Sequence, residues 1–122
     1  SAGEEGLAFA TADGMMELGL TTVLEELLYS IGEGPLYLSI DLDVLDPSHA
    51  PGVQNPEPWG LSPLDIRRVI DRVAPRVVGL DVMECAPRYD GGQTALVAAR
   101  LLRHAIGAIW QGREGNPALS RA

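Results

Sequence analysis

At 122 residues the chain is long enough for one domain and too short for two ordinary ones. Its net charge of −8, with all nine basic residues arginine, argues against nucleic acid or an anionic membrane surface as partner. A single cysteine, Cys85, leaves no internal disulfide and fits a reducing, cytoplasmic compartment. The sequence holds neither a secretory signal at its start nor an apolar run long enough for a membrane span.

Residues 7–11 are a short apolar run before Asp13-Gly14 and predict a buried strand. A single helical turn is expected over residues 15–18, with Gly14-Met15-Met16 as core filling rather than a binding box. Thr21 is the expected N-cap of a helix through Ser30, with Leu20, Val23, Leu24, Leu27 and Leu28 at helical spacing on its buried face. Gly32-Glu33-Gly34-Pro35 stops it.

From residue 36 to 43, apolar Leu36, Leu38, Ile40 and Leu42 alternate with polar Tyr37, Ser39, Asp41 and Asp43. This period of two predicts a strand, with the two aspartates on one face and their Cα atoms roughly 6.5–7 Å apart. The strand runs into a proline- and glycine-rich loop over residues 44–61, so the pair sits at its carboxyl end, where open α/β sheets place ligands. Stacked negative charge needs compensation, and a divalent metal is its simplest source. Asp46 before Pro47 reads as a turn-former, and His49 as a loop residue.

Ser62-Pro63-Leu64-Asp65 opens the next helix, with Ser62 as N-cap and Ile66, Val69, Ile70 and Val73 as its apolar stripe; Pro75 ends it. Residues 76–84 form a second, nearly continuous apolar strand that also ends in a carboxylate, Glu84. Within it Asp81 is expected to accept hydrogen bonds rather than to bind metal, and Cys85 to serve packing. The last helix spans residues 94–110, with Val97, Leu101, Ala105 and Ala108 inward and His104 at its edge; residues 111–122 read as a flexible tail. The order β-α-β-α-β-α predicts parallel strands, and three make a small sheet, as at the edge of a larger α/β layer structure.

Ser39-Ile40-Asp41-Leu42-Asp43, followed at fixed spacing by Pro47, Pro51-Gly52 and Gly60, resembles the carboxyl-terminal metal motif of the arginase and agmatinase (ureohydrolase) family over 22 residues. Gly79-Leu80-Asp81-Val82-Met83-Glu84, with Pro87 and Tyr89-Asp90, resembles the family's next strand and loop, closest to agmatinase-like members. The resemblance implies a three-layer α/β/α fold around a parallel sheet, of which residues 1–110 would be the carboxyl-terminal part. It implies hydrolysis of a guanidino compound (agmatine-like) to urea and an amine, through a hydroxide bridging two manganese ions. Asp41 would bridge the metals, Asp43 would chelate one, and Glu84 would bind the substrate guanidinium. Hard oxygen donors suit manganese, and a carboxylate suits a guanidinium.

The family's other metal ligands, a histidine and an Asp-x-His-x-Asp cluster, have no counterpart here, and His49 and His104 lie in no ligand motif. A missing amino-terminal half or a homo-oligomer partner is therefore expected to complete the site, leaving the isolated chain inactive. Val53-Gln54-Asn55 stands where members carry Thr-Gly-Thr, and Trp59-Gly60 where they carry paired glycines. Trp59 would line the substrate entrance or fill a hydrophobic gap. The alternative is a catalytically silent fragment or interaction module that keeps the fold.

Overall fold

The computed structural model describes residues 7–114, in two units divided between Gly34 and Pro35. The first unit contains two helices. Thr11 caps α1 (Ala12–Leu18), its hydroxyl accepting the Gly14 N–H at 3.1 Å. Gly19, at φ +86°, donates its N–H to the Met15 carbonyl and so closes α1. It then opens α2 (Leu20–Ile31) by accepting the Val23 N–H. Gly19, not Thr21, is thus the N-cap: the chain re-enters helix one residue after the turn, which leaves Thr21 inside the first turn. Val23 and Leu28 are buried, as the periodicity predicts.

The expected strand at residues 7–11 is not formed. An apolar run becomes a strand only where a neighbour satisfies its backbone groups, and the two strands that do form pair with each other. Leu7 and Phe9 are instead exposed. Met16, at 76% exposure, is not core filling either.

In the second unit β1 (Leu36–Asp41) and β2 (Val77–Met83) form a parallel pair, flanked by α3 (Pro63–Val73) and α4 (Gln93–Glu114). Leu38, Ile40, Leu80 and Val82 turn toward the helices and join Leu42, Leu45, Ile66, Ile70, Leu101 and Ala105 in one hydrophobic core. Full burial of side chains such as Leu42 and Leu45 contributes roughly 1.5–3 kcal/mol each. The capping box on α3 is present as expected: Ser62 Oγ accepts the Asp65 N–H, and Asp65 Oδ2 accepts the Ser62 N–H at 2.9 Å. After Val73 the chain tightens into a 3-10 turn, Ala74–Arg76, before entering β2. The last helix continues through Glu114, four residues past its expected end, and residues 115–122 lie outside the described part. Among the described residues no helix is long and apolar enough to cross a membrane.

Candidate functional site

The strand does not carry both aspartates. It ends at Asp41, whose Oδ1 accepts the Asp43 N–H at 2.8 Å and turns the chain into a short 3-10 segment, Leu42–Val44. An aspartate that captures the amide two residues on competes with the ladder for that amide. Asp43 therefore sits on a turn above the strand end and not on the Asp41 face of a continuing strand. Asp41 is exposed and Asp43 half-buried. Asp43 Oδ1 is itself buried and has no hydrogen-bond partner.

Register brings the third candidate alongside. Asp41 pairs with Met83, so Glu84 follows directly at the same end of the neighbouring strand, about 4.8 Å across the ladder from the end of β1. Glu84 adopts φ +64°, a left-handed conformation that costs a non-glycine residue on the order of 1–3 kcal/mol. Such strain is held only where flanking structure is fixed.

The loop after Asp43 is better built than its composition suggests. Leu45 and Leu61 form an isolated parallel bridge, with Leu61 N–H on the Val44 carbonyl and Asp46 N–H on the Leu61 carbonyl. Gly60 lies so close to this crossing that a Cβ there would come within 2.5 Å of Asp46 N. The Asp46 carboxylate accepts the Ser48 N–H at 2.9 Å and the Gly60 N–H at 3.2 Å, and these bonds, Ser48 first, hold its pKa below the usual carboxylate value. It shapes the turn, as expected. Ala50 and Val53 are buried in the core, whereas residues 54–59 are exposed. Trp59 stands at φ +63° and 80% exposure, so it fills no gap within its own unit.

Asp81 accepts from the Ser39 hydroxyl and from Tyr37 OH at 2.8 Å, and those bonds lower its pKa. His49 lies on the exposed loop, its carbonyl accepting from Gln93 Nε2, and His104 pairs across the helices with Asp71. Neither joins the aspartates. Cys85 is exposed rather than packed, because Glu84 turns the chain out of the strand just before it. One cluster escaped the sequence reading: Asp90 binds buried Thr94, which binds Gly52 in the other loop. The spacing of Asp90 and Thr94 is that of a helix start, but nothing local signals Gly52.

The donor chemistry fits part of a metal site. Asp41 and Asp43 offer hard oxygens, and the buried, unpartnered Asp43 Oδ1 is the kind of atom a cation satisfies. Among the described residues, however, no group of three His, Cys, Asp or Glu side chains is placed to hold an ion.

The sequence pattern of the arginase family matches residues 1–107. The chain belongs to the arginase family. Proclavaminate amidinohydrolase of Streptomyces clavuligerus is 38% identical over 98 residues, covering 79% of this chain and 31% of that protein. Mitochondrial agmatinase of Gallus gallus is 38% identical over 101 residues, covering 81% of this chain and 30% of that protein. The crystal structure of the agmatine ureohydrolase of Thermoplasma volcanium superposes with a TM-score of 0.81 at 34% identity, over 89% of this chain and 36% of that one. The chain thus spans less than a third of the length of these two curated relatives. Its parallel strands and helices are a portion of the family's three-layer α/β/α fold.

Proposed function

We propose that the chain is the carboxyl-terminal portion of a manganese-dependent ureohydrolase that cleaves a guanidino compound, agmatine-like, to urea and an amine. The observation that carries this reading is the Asp43 Oδ1 atom, buried and without a hydrogen-bond partner, beside Asp41 and level with Glu84 at the ends of adjacent strands. Asp41 and Asp43 would hold the metals. When bound, manganese would supply Lewis acidity and an activated water. Glu84 would accept hydrogen bonds from the guanidinium and orient its carbon toward the aspartates; its carboxylate matches that cation in charge and geometry.

Two carboxylates leave a binuclear site incomplete, so further ligands come from sequence outside these residues. The isolated chain therefore releases no urea, and the complete enzyme is a cytoplasmic oligomer. Two relatives with different named substrates match at the same 38% identity, so relatedness alone favours neither. The Tyr89-Asp90 pair, which resembles agmatinases and guanidino-acid hydrolases more than arginases proper, supports an agmatine-like or guanidino-acid compound over arginine. The test is urea release from agmatine and other guanidino compounds by full-length protein, with and without manganese. Manganese-dependent release that disappears in Asp43→Asn and Glu84→Gln is expected. Full activity in either variant, or no release at all, overturns the reading.

A further inference from the structure

Two loops leave the sheet at the same end, one after Asp41 and one after Met83, and a single buried side chain joins them. Thr94 is wholly buried. Its hydroxyl donates to Asp90 Oδ2 at 2.7 Å and accepts the Gly52 N–H at 2.7 Å. The Gly52 carbonyl then accepts the N–H of Ala86, two residues beyond Glu84, again at 2.7 Å. Asp90 is fixed from behind: Oδ1 accepts the Gly92 N–H at 2.9 Å, and Oδ2 also accepts the Thr94 N–H at 3.0 Å. Charged acceptors make the stronger hydrogen bonds. These bonds, the Thr94 hydroxyl foremost, keep the Asp90 pKa below the usual carboxylate value, so it is ionised at neutral pH. There is no slack in the packing, since a Cβ on Gly52 would lie 2.6 Å from Asp90 Oδ2.

Glu84 stands at the far end of this relay. Its left-handed backbone persists only if both flanks are held. The Asp41–Met83 register holds one flank, and the Ala86–Gly52 bond holds the other. We propose that Asp90 is a positioning residue that holds the Glu84 carboxylate against the Asp41–Asp43 loop, acting through Thr94 and Gly52. The proposal rests on Glu84 being the guanidinium-binding carboxylate. Asp90 itself need touch neither metal nor substrate. A small displacement of a binding carboxylate, caused at a position far from it, is enough to weaken its hold on the substrate.

The test compares full-length protein with Asp90→Asn, Thr94→Val and Thr94→Ser. Thr94→Val keeps the shape and loses the hydroxyl, whereas Thr94→Ser keeps the hydroxyl. In Asp90→Asn and Thr94→Val, amide hydrogen exchange at Gly52 and Ala86 should accelerate together by about tenfold or more, with the β1–β2 ladder unchanged. The KM for the guanidino substrate should rise by about tenfold while kcat and manganese content stay near their original values. Thr94→Ser should restore both. Unchanged or unlinked exchange at Gly52 and Ala86, manganese loss in step with KM, or no rescue by Thr94→Ser would overturn the proposal. If the unmodified protein releases no urea, the ureohydrolase reading falls. The exchange result then decides the Asp90 coupling alone, which stands if the two amides respond together and falls if they do not.

Discussion

Ser39 and Asp81 are direct partners across the parallel strands, and the Ser39 hydroxyl donates to Asp81 Oδ1 at 2.5 Å. Tyr37 OH occupies the other oxygen, and its ring lies over Gly79, where a Cβ would come within 2.5 Å of it. Asp81 is thus committed to hydroxyls on β1, which separates it from the carboxylates at the strand end. The Tyr37 phenol, donating to a carboxylate, has its pKa raised above 10.0. Asp81→Asn removes that charge, so Tyr37 ionisation should shift back toward 10.0 in an ultraviolet titration. An unchanged titration would mean that the contact is not kept in solution.

Acid should destabilise the protein late. The carboxylates of Asp46, Asp81 and Asp90 all have pKa values lowered from 3.8 by hydrogen bonds made in the folded state. The unfolded chain takes up these protons near 3.8 and the folded chain only at lower pH, so protonation favours unfolding. Their contribution is whole above 3.8 and is lost as pH falls through the lower folded values. Melting temperature against pH should show no effect from these groups between neutrality and about pH 5, then a fall. Asp90→Asn should shallow that fall. A variant as acid-sensitive as the original protein would count against Asp90 as a contributor.

Asp43→Asn should change sign with metal. Without a cation, a buried carboxylate oxygen lacking any partner carries a penalty of about 1–3 kcal/mol, which the neutral amide reduces. The metal-free variant should therefore melt higher than the original. With manganese the order should reverse, because the amide loses the charge that the cation needs. Thermal melts of both proteins in chelator and in manganese check this, and the same order under both conditions contradicts it.

The glycines at the loop crossing should rank by what their added methyl would meet. Gly60→Ala drives a Cβ against backbone atoms of Val44, Leu45 and Asp46, which cannot swing aside, and should cost about 1–3 kcal/mol. Gly91→Ala meets nothing within 4 Å and should stay within about 0.5 kcal/mol. Denaturant unfolding of the two variants tests the ranking, and a tolerated Gly60→Ala would mean that the crossing opens readily.

The elements that sequence revealed are those whose signal is local and whose partner lies elsewhere in the same chain. Residues 36–41 alternate and one face is buried; Ser62 and Asp65 cap α3 as their spacing demands; the strand expected over 76–84 forms at 77–83, and 94–110 lie within the last helix. Residues 7–11 misled because apolar composition states a preference for burial and says nothing about whether a strand neighbour is present. Asp43 misled for a different reason. Leu42 is buried whether the chain continues as strand or turns, so the alternation could not show that Asp41 would seize the Asp43 amide. The Thr94–Gly52 bond, 42 residues apart in sequence, lay beyond any local pattern.

The Leu45–Leu61 crossing has a consequence for how such a site can diversify. Because the chain is clasped there, with Asp46 holding the Gly60 amide, the exposed stretch 54–59 hangs from a closed neck. Lengthening a closed loop costs little, only about 0.6 kcal/mol per doubling. The tip bearing Trp59 can therefore be rewritten in length and chemistry while the aspartates behind the neck stay where they are; if those aspartates hold the metals as proposed, the tip is where a new substrate preference would arise without disturbing them.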